Sequence, residues 1–217
     1  MRHSLSSLLV LALALALAVP AFAAEPLGAT EDEFKMYLHY KLAMADTRVQ
    51  AMKPEVQLPA IARDASYKLK DLQQAIAHVE AAGDLKARCE ANLKETFGKT
   101  ELAGRTGRLE IDTSGDYAIA IVQWFNEEQK NLPIEAAYAA ARAAEACPIA
   151  TTVTVWAHDK AAPKQRLFQA VVSTASARRI NIDKVKDYGE TRYLKLFEKV
   201  KSVANGDDLS AAATGQK

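Results

Sequence analysis

Residues that usually carry metals and nucleophiles are scarce in this chain. Of its 217 residues, four are histidine and two are cysteine. Their placement excludes more than their number does. His39, His78 and His158 include no pair at i, i+4, so the paired-histidine helix of a zinc protease is absent. Cys89 and Cys147 have 57 residues between them, which excludes a CxxC redox site and gives no zinc spacing. No Gly-x-Ser-x-Gly elbow occurs. Gly104-Arg-Thr-Gly107 is a basic turn that lacks the Gly-Lys-Ser/Thr ending of a phosphate loop.

An excess of one charge is missing too. The 28 basic and 27 acidic residues nearly cancel, which argues against nucleic acid as the main partner. The distribution is less even. Glu110 to Cys147 holds seven acids and two bases, whereas Lys160 to Lys201 holds eleven bases and four acids. The two stretches either fold side by side and partly neutralise, or leave the basic one as a docking face. At 49% hydrophobic and 25% charged, the chain has ordinary globular composition.

Only one long apolar run is present, and it lies at the start. Leu5 to Val19 follows the basic Arg2 and is broken by Pro20; Ala21-Phe22-Ala23 then puts small residues at −3 and −1 of a cleavage site. The run falls short of the roughly 20 residues that span a bilayer. Residues 1–23 therefore read as a cleavable signal peptide, with a mature chain of about 194 residues exported to the periplasm or medium. No membrane span is expected after cleavage. In an oxidising compartment, Cys89 and Cys147 are expected to form one structural disulfide.

Residues 24–104 read as a helical region. Phe34, Leu38, Leu42, Ala45, Val49 and Met52 make a helical seam behind a Thr30/Glu33 capping box. Lys53-Pro54 ends it. Leu58, Ile61, Ala65, Leu69, Leu72, Ile76 and Val79 make a second seam, stopped by Gly83. The two helices are expected to fold back as a hairpin, with Leu38 and Leu42 meeting Leu69 and Leu72. Asp84 caps a third helix carrying Leu85, Cys89, Leu93 and Phe97.

Residues 105–204 change period. Leu109 and Ile111 alternate with charge, Thr113-Ser114-Gly115 turns the chain, and Tyr117 to Phe125 reads as an apolar strand, with a helix over Asp116 to Lys130 as competitor. Pro133 opens an Ala-rich helix. A second hairpin pairs Thr151 to His158 with Leu167 to Ser173, and Glu190 to Val203 reads as an amphipathic helix. Residues 205–217 read as a disordered tail. The fold class is α+β: a helical hairpin plus a third helix, then a four-stranded antiparallel sheet built as hairpin-helix-hairpin-helix. The helical half is expected to cover the sheet's other face.

Candidate site residues are few. Tyr40 and Met44, with Met36, flank the first seam and widen its apolar face, which suits a protein partner. Trp156, expected to face Phe168 across the second hairpin, and His158, next to Asp159, mark a ligand platform or a base oriented by a carboxylate. His39 reads as structural and His78 as a surface residue. Asp112-Thr-Ser-Gly-Asp116 is a near miss to an aspartic-protease turn, broken by Ser114 and without a second copy. No cofactor and no metal site is expected. The sequence therefore points to a non-enzymatic exported protein that binds another protein or an envelope component. The alternative is a small-molecule-binding or hydrolytic domain with a pocket near Trp156 and His158.

The signal reading makes a direct prediction. N-terminal sequencing of native protein should begin at Ala24, and a chain still starting at Met1 would overturn export.

Overall fold

The computed structural model describes residues 27–202. The expected signal peptide and the expected tail lie outside that range. Helix α1 (Glu31–Ala45) starts at the capping box, where Thr30 Oγ1 accepts from the Glu33 amide at 3.2 Å and the Glu33 carboxylate accepts from the Thr30 amide at 2.9 Å. It ends at Asp46 rather than continuing to Met52. The Asp46 carboxylate accepts from the Arg48 amide at 2.8 Å and starts the one-turn helix α2 (Thr47–Gln50).

The second seam is also interrupted. Helix α3 (Pro54–Asp64) stops and α4 (Leu69–Ala82) begins after a four-residue break. Ser66 takes φ +59°, the Tyr67 amide donates to the Ala62 carbonyl at 2.7 Å and the Ser66 amide to Arg63 at 3.1 Å. This is a Schellman stop built on serine, where the sequence offers no glycine to announce it. Helix α5 (Leu85–Gly98) is capped by Asp84, whose carboxylate accepts from the Ala87 amide at 2.9 Å.

The helical hairpin closes through α1 and α4, but on a rotated seam. Leu38 and Leu72 are buried, whereas Leu42 and Leu69 are 44% and 37% exposed. Both faces of α1 pack: Phe34 and Leu38 enter the main core, and the flanking stripe meets a second one. Met36, Tyr40 and Met44 lie against Ile61, Ala62 and Leu72, a small core separate from the main one.

The sheet has five strands in chain order, not four: β1 (Thr106–Asp112), β2 (Ile119–Asn126), β3 (Thr152–Asp159), β4 (Arg166–Ser173) and β5 (Lys199–Ser202). The β1–β2 and β3–β4 pairs are antiparallel hairpins. The two hairpins join through parallel strands β2 and β3, so the sheet is mixed. A parallel join needs a long crossover, and α6 (Leu132–Ala146) supplies it. After β4 come the short helix α7 (Thr174–Ala177), a 3₁₀ turn over Ile182–Asp187 and α8 (Glu190–Leu194). The expected helix to Val203 is only this single turn. Tyr193, Phe197 and Val200 are all buried, but in α8, a connector and β5 in turn, so their helical spacing is a coincidence of three different elements.

Among the described residues, every helix on the sheet sits on one face. Leu109, Ile111, Ala120, Val122, Trp124, Val153, Val155 and Val172 form one core with α5 and α6. Cys89 of α5 and Cys147, just past α6, form a disulfide with Cα atoms 5.2 Å apart, and both cysteines are fully buried. Closing a loop of this length typically stabilises by ~2–4 kcal/mol. The bridge ties α5 to the same side of the sheet as α6. The helical half therefore does not cover the other face.

The rotated seam separates two leucines that looked equivalent. Leu72→Ala should cost about 2–5 kcal/mol by urea unfolding, the range for a buried leucine, whereas Leu69→Ala should stay within about 0.5 kcal/mol of wild type.

Candidate functional site

Side chains on a strand alternate between faces, so the one-sided helical cover leaves the second set of positions open. On β2 these are Ile119, Ile121, Gln123 and Phe125; on β3, Thr152, Thr154, Trp156 and His158. Pairing across the strands aligns them in rows. Glu110, Ile121, Thr154, Val171 and Lys199 form one row across all five strands. Gln123, Trp156, Gln169 and Lys201 form the next, with Arg108 at its β1 end. Antiparallel sheets with one solvated face normally turn polar residues outward. Here the middle of that face carries Ile119, Ile121, Phe125, Trp156 and Val171. Ile121 and its neighbour Thr154 are buried, at 7% and 9% exposed, and the others are half-buried.

Trp156 stands at the centre. The Arg108 and Arg166 guanidinium groups lie 5.7 and 4.9 Å from its ring centroid, within cation–π range. Arg166 Nη1 donates to Gln169 Oε1 at 2.5 Å, and Arg108 pairs with Glu110 at 2.7 Å. Phe125 meets the His158 ring edge-on at 6.4 Å. Three polar atoms at this end, Trp156 Nε1, His158 Nε2 and Arg166 Nε, are buried without a hydrogen-bond partner among the described residues. Phe168 is not opposite Trp156: it pairs with Ala157, faces the helices and is 2% exposed.

His158 is oriented by a backbone carbonyl, with Nδ1 2.8 Å from Pro163 O. Its neighbour Asp159 is engaged elsewhere, accepting from Gln129 Nε2 at 3.1 Å and from the Ala161 amide at 2.8 Å. No carboxylate orients this imidazole for base catalysis. Tyr40 and Met44 lie far along the chain in the small helical core already described, so the four candidate residues fall into two separate groups.

Sequence reasoning missed a hydrogen-bonded chain in the helical half. His39 Nδ1 lies 2.6 Å from the Tyr67 hydroxyl and Nε2 3.2 Å from Asp116 Oδ2. Asp116 comes from the β1–β2 turn, and the serine-based stop before Tyr67 delivers the phenol. With neutral His39, the Nε2–H donates to the carboxylate and Nδ1 accepts from the phenol. Burial, then the nearby Asp116 and Asp32 carboxylates, push the Tyr67 hydroxyl above its ordinary pKa. An activated nucleophile needs the opposite shift. The chain of contacts works as a clasp between helices and sheet.

A second polar knot lies under the sheet. Glu135, in the first turn of α6, accepts from Arg105 at 2.9 Å, Trp124 Nε1 at 2.7 Å and Asn126 Nδ2 at 2.9 Å. Its lone pairs are occupied by structural donors. Among the described residues, two clefts flank the helices. One of about 520 Å³ lies between α1, α4 and the start of α5, with Phe34, Leu38 and Val79 in its lining and Lys41 and Lys86 beside them. The other, about 280 Å³, lies between α6 and the 3₁₀ turn and is lined by Arg105, Glu135 and Tyr138 among others. Neither includes Trp156 or His158. Among the described residues, no cluster of three or more His, Cys, Asp or Glu could hold a metal ion, and no helix is long and apolar enough to cross a membrane. No protein family, curated protein or solved structure matches the chain.

The clasp generates a prediction of its own. His39→Ala should lower stability by about 1–3 kcal/mol, the penalty for stranding partly buried polar partners. Hydrogen exchange should speed up in α1 and around Tyr67 while β3 and β4 stay protected.

Proposed function

We propose that this is an exported, non-catalytic binding protein whose docking surface is the open face of its sheet, centred on Trp156. One observation carries the reading: among the described residues a five-stranded sheet is helix-covered on one side only, and its other side holds Ile121, Phe125, Trp156 and Val171. Apolar and aromatic groups gathered on an uncovered face mark interaction surfaces in soluble proteins. Aromatic and arginine side chains, here Trp156 beside Arg108 and Arg166, are the ones that most often anchor interfaces. Export is supported by the signal-like segment and by the Cys89–Cys147 bridge.

The helical stripe that suggested a partner surface from sequence has a different job. Tyr40 and Met44 fill the space between α1, α3 and α4. The chemistry around His158 and His39 lacks an activated nucleophile, which favours binding over hydrolysis.

A photo-reactive amino acid in place of Gln123, on the open face, tests this reading in the native envelope. It should yield a defined covalent adduct, whereas the same probe replacing the exposed Glu95 of α5 should not. Equal labelling at both positions, or none at 123, would remove the support for the face as a docking surface.

A further inference from the structure

The rows of the open face match themselves under a two-fold axis. Consider such an axis lying in the plane of contact and parallel to the strands, close to β3. It sets β2 of one copy over β4 of the other, β1 over β5, and β3 over itself, while keeping each row at its own level. In the row Glu110–Ile121–Thr154–Val171–Lys199, this places acid on base, Ile121 on Val171 and Thr154 on Thr154. In the row below, Gln123 meets Gln169 and Trp156 meets Trp156. Beyond it, Phe125 meets Arg166, a cation–π pairing.

We propose that the docking partner of this face is a second copy of the chain, and that the two sheets form a β-sandwich homodimer. The inference rests on the docking reading above and names its occupant. A two-fold interface is isologous, each patch meeting its own counterpart, and the reciprocal Ile121–Val171 and Gln123–Gln169 meetings have that form. Sheets stack about 10 Å apart with strands turned by about 30°, so the match is closest near the axis, on β2, β3 and β4. Facing glutamines also bring amide carbonyls to the level of Trp156, whose Nε1 has no acceptor among the described residues.

Size agrees. Five strands at about 4.8 Å spacing and about 23 Å of strand give roughly 500 Å² per copy, so about 1,000 Å² is buried in total, the size at which specific interfaces begin. Lys199 and Lys201 are exposed at the β5 edge, and Glu110 lies at the β1 edge. The like-charged meeting, Arg108 over Lys201, lies at the same β1–β5 edge as Glu110 over Lys199, and Glu110 already stands 2.7 Å from Arg108 in its own chain, so the apolar and amide meetings on β2, β3 and β4 carry the match.

Analytical ultracentrifugation of the oxidised mature chain tests the proposal. The wild type should sediment as a reversible dimer at micromolar concentration. Val171→Glu puts a charge at the centre of the contact and should give a monomer with an unchanged circular-dichroism melt. Lys199→Glu should weaken the dimer about ten-fold, and adding Glu110→Lys should restore most of that loss, because the swap rebuilds the pair across the interface. A wild type that stays monomeric throughout, or a dimer indifferent to Val171→Glu, would overturn the second copy as occupant. If the Gln123 probe then still captures a different macromolecule, the docking face survives with another partner; if it captures nothing, both readings fall.

Discussion

The architecture depends on how α6 lies on the sheet. Ten of its fifteen residues are buried, eight of them alanine. Alanine keeps the helix close to the strands, where longer side chains would hold it away. That close approach lets one helix bridge two parallel strands and receive α5, α7, α8 and the 3₁₀ turn around it. Glu135 fixes its first turn through Arg105, Trp124 and Asn126, and Cys147 fixes its end to α5. With both ends held, all the helical mass gathers on one side. The bare face of the sheet is the consequence.

Legibility followed the range of the signals. The Thr30/Glu33 capping box, Asp84, Pro133 and both hairpins rest on residues a few positions apart, and these elements lie where their sequence patterns place them. What failed left no readable mark in its own stretch or depended on distant partners. The α3 stop is carried by Ser66 in a left-handed conformation, a position where glycine would have been the readable mark. The last strand was disguised because Tyr193, Phe197 and Val200 serve three elements at helical spacing. That α1 packs through two faces was undecidable from α1 alone, since Leu38 and Tyr40 belong to adjacent apolar stripes that enter different cores.

The candidate site was legible in part. Alternation put Trp156 and His158 on one face of a strand, where they are. It could not say whether helices would cover that face, because the apolar run of β2 suits burial on both sides. The His39–Asp116 contact spans 77 positions and depends on a turn, a helix and the Tyr67 loop converging. No periodicity reports such a meeting.

The uneven charge of the sequence gains a spatial meaning from the strand order. The acidic stretch places Glu110 and Asp112 at the end of β1 and no charge on β2, its other acids lying in turns and α6, whereas the basic stretch places Lys199 and Lys201 on β5 at the opposite edge. Some neutralisation occurs where the stretches touch, as in the Lys160–Glu127 pair. Across the open face it cannot, because Glu110 and Lys199 are separated by four strand spacings, about 19 Å, well beyond the Debye length of about 8 Å in physiological salt. Within one chain the two edges are electrostatically independent. A two-fold axis along the strands brings the edges together and covers the apolar middle in the same step. The bare face and the split charge, unrelated features in a single copy, then have one common cause.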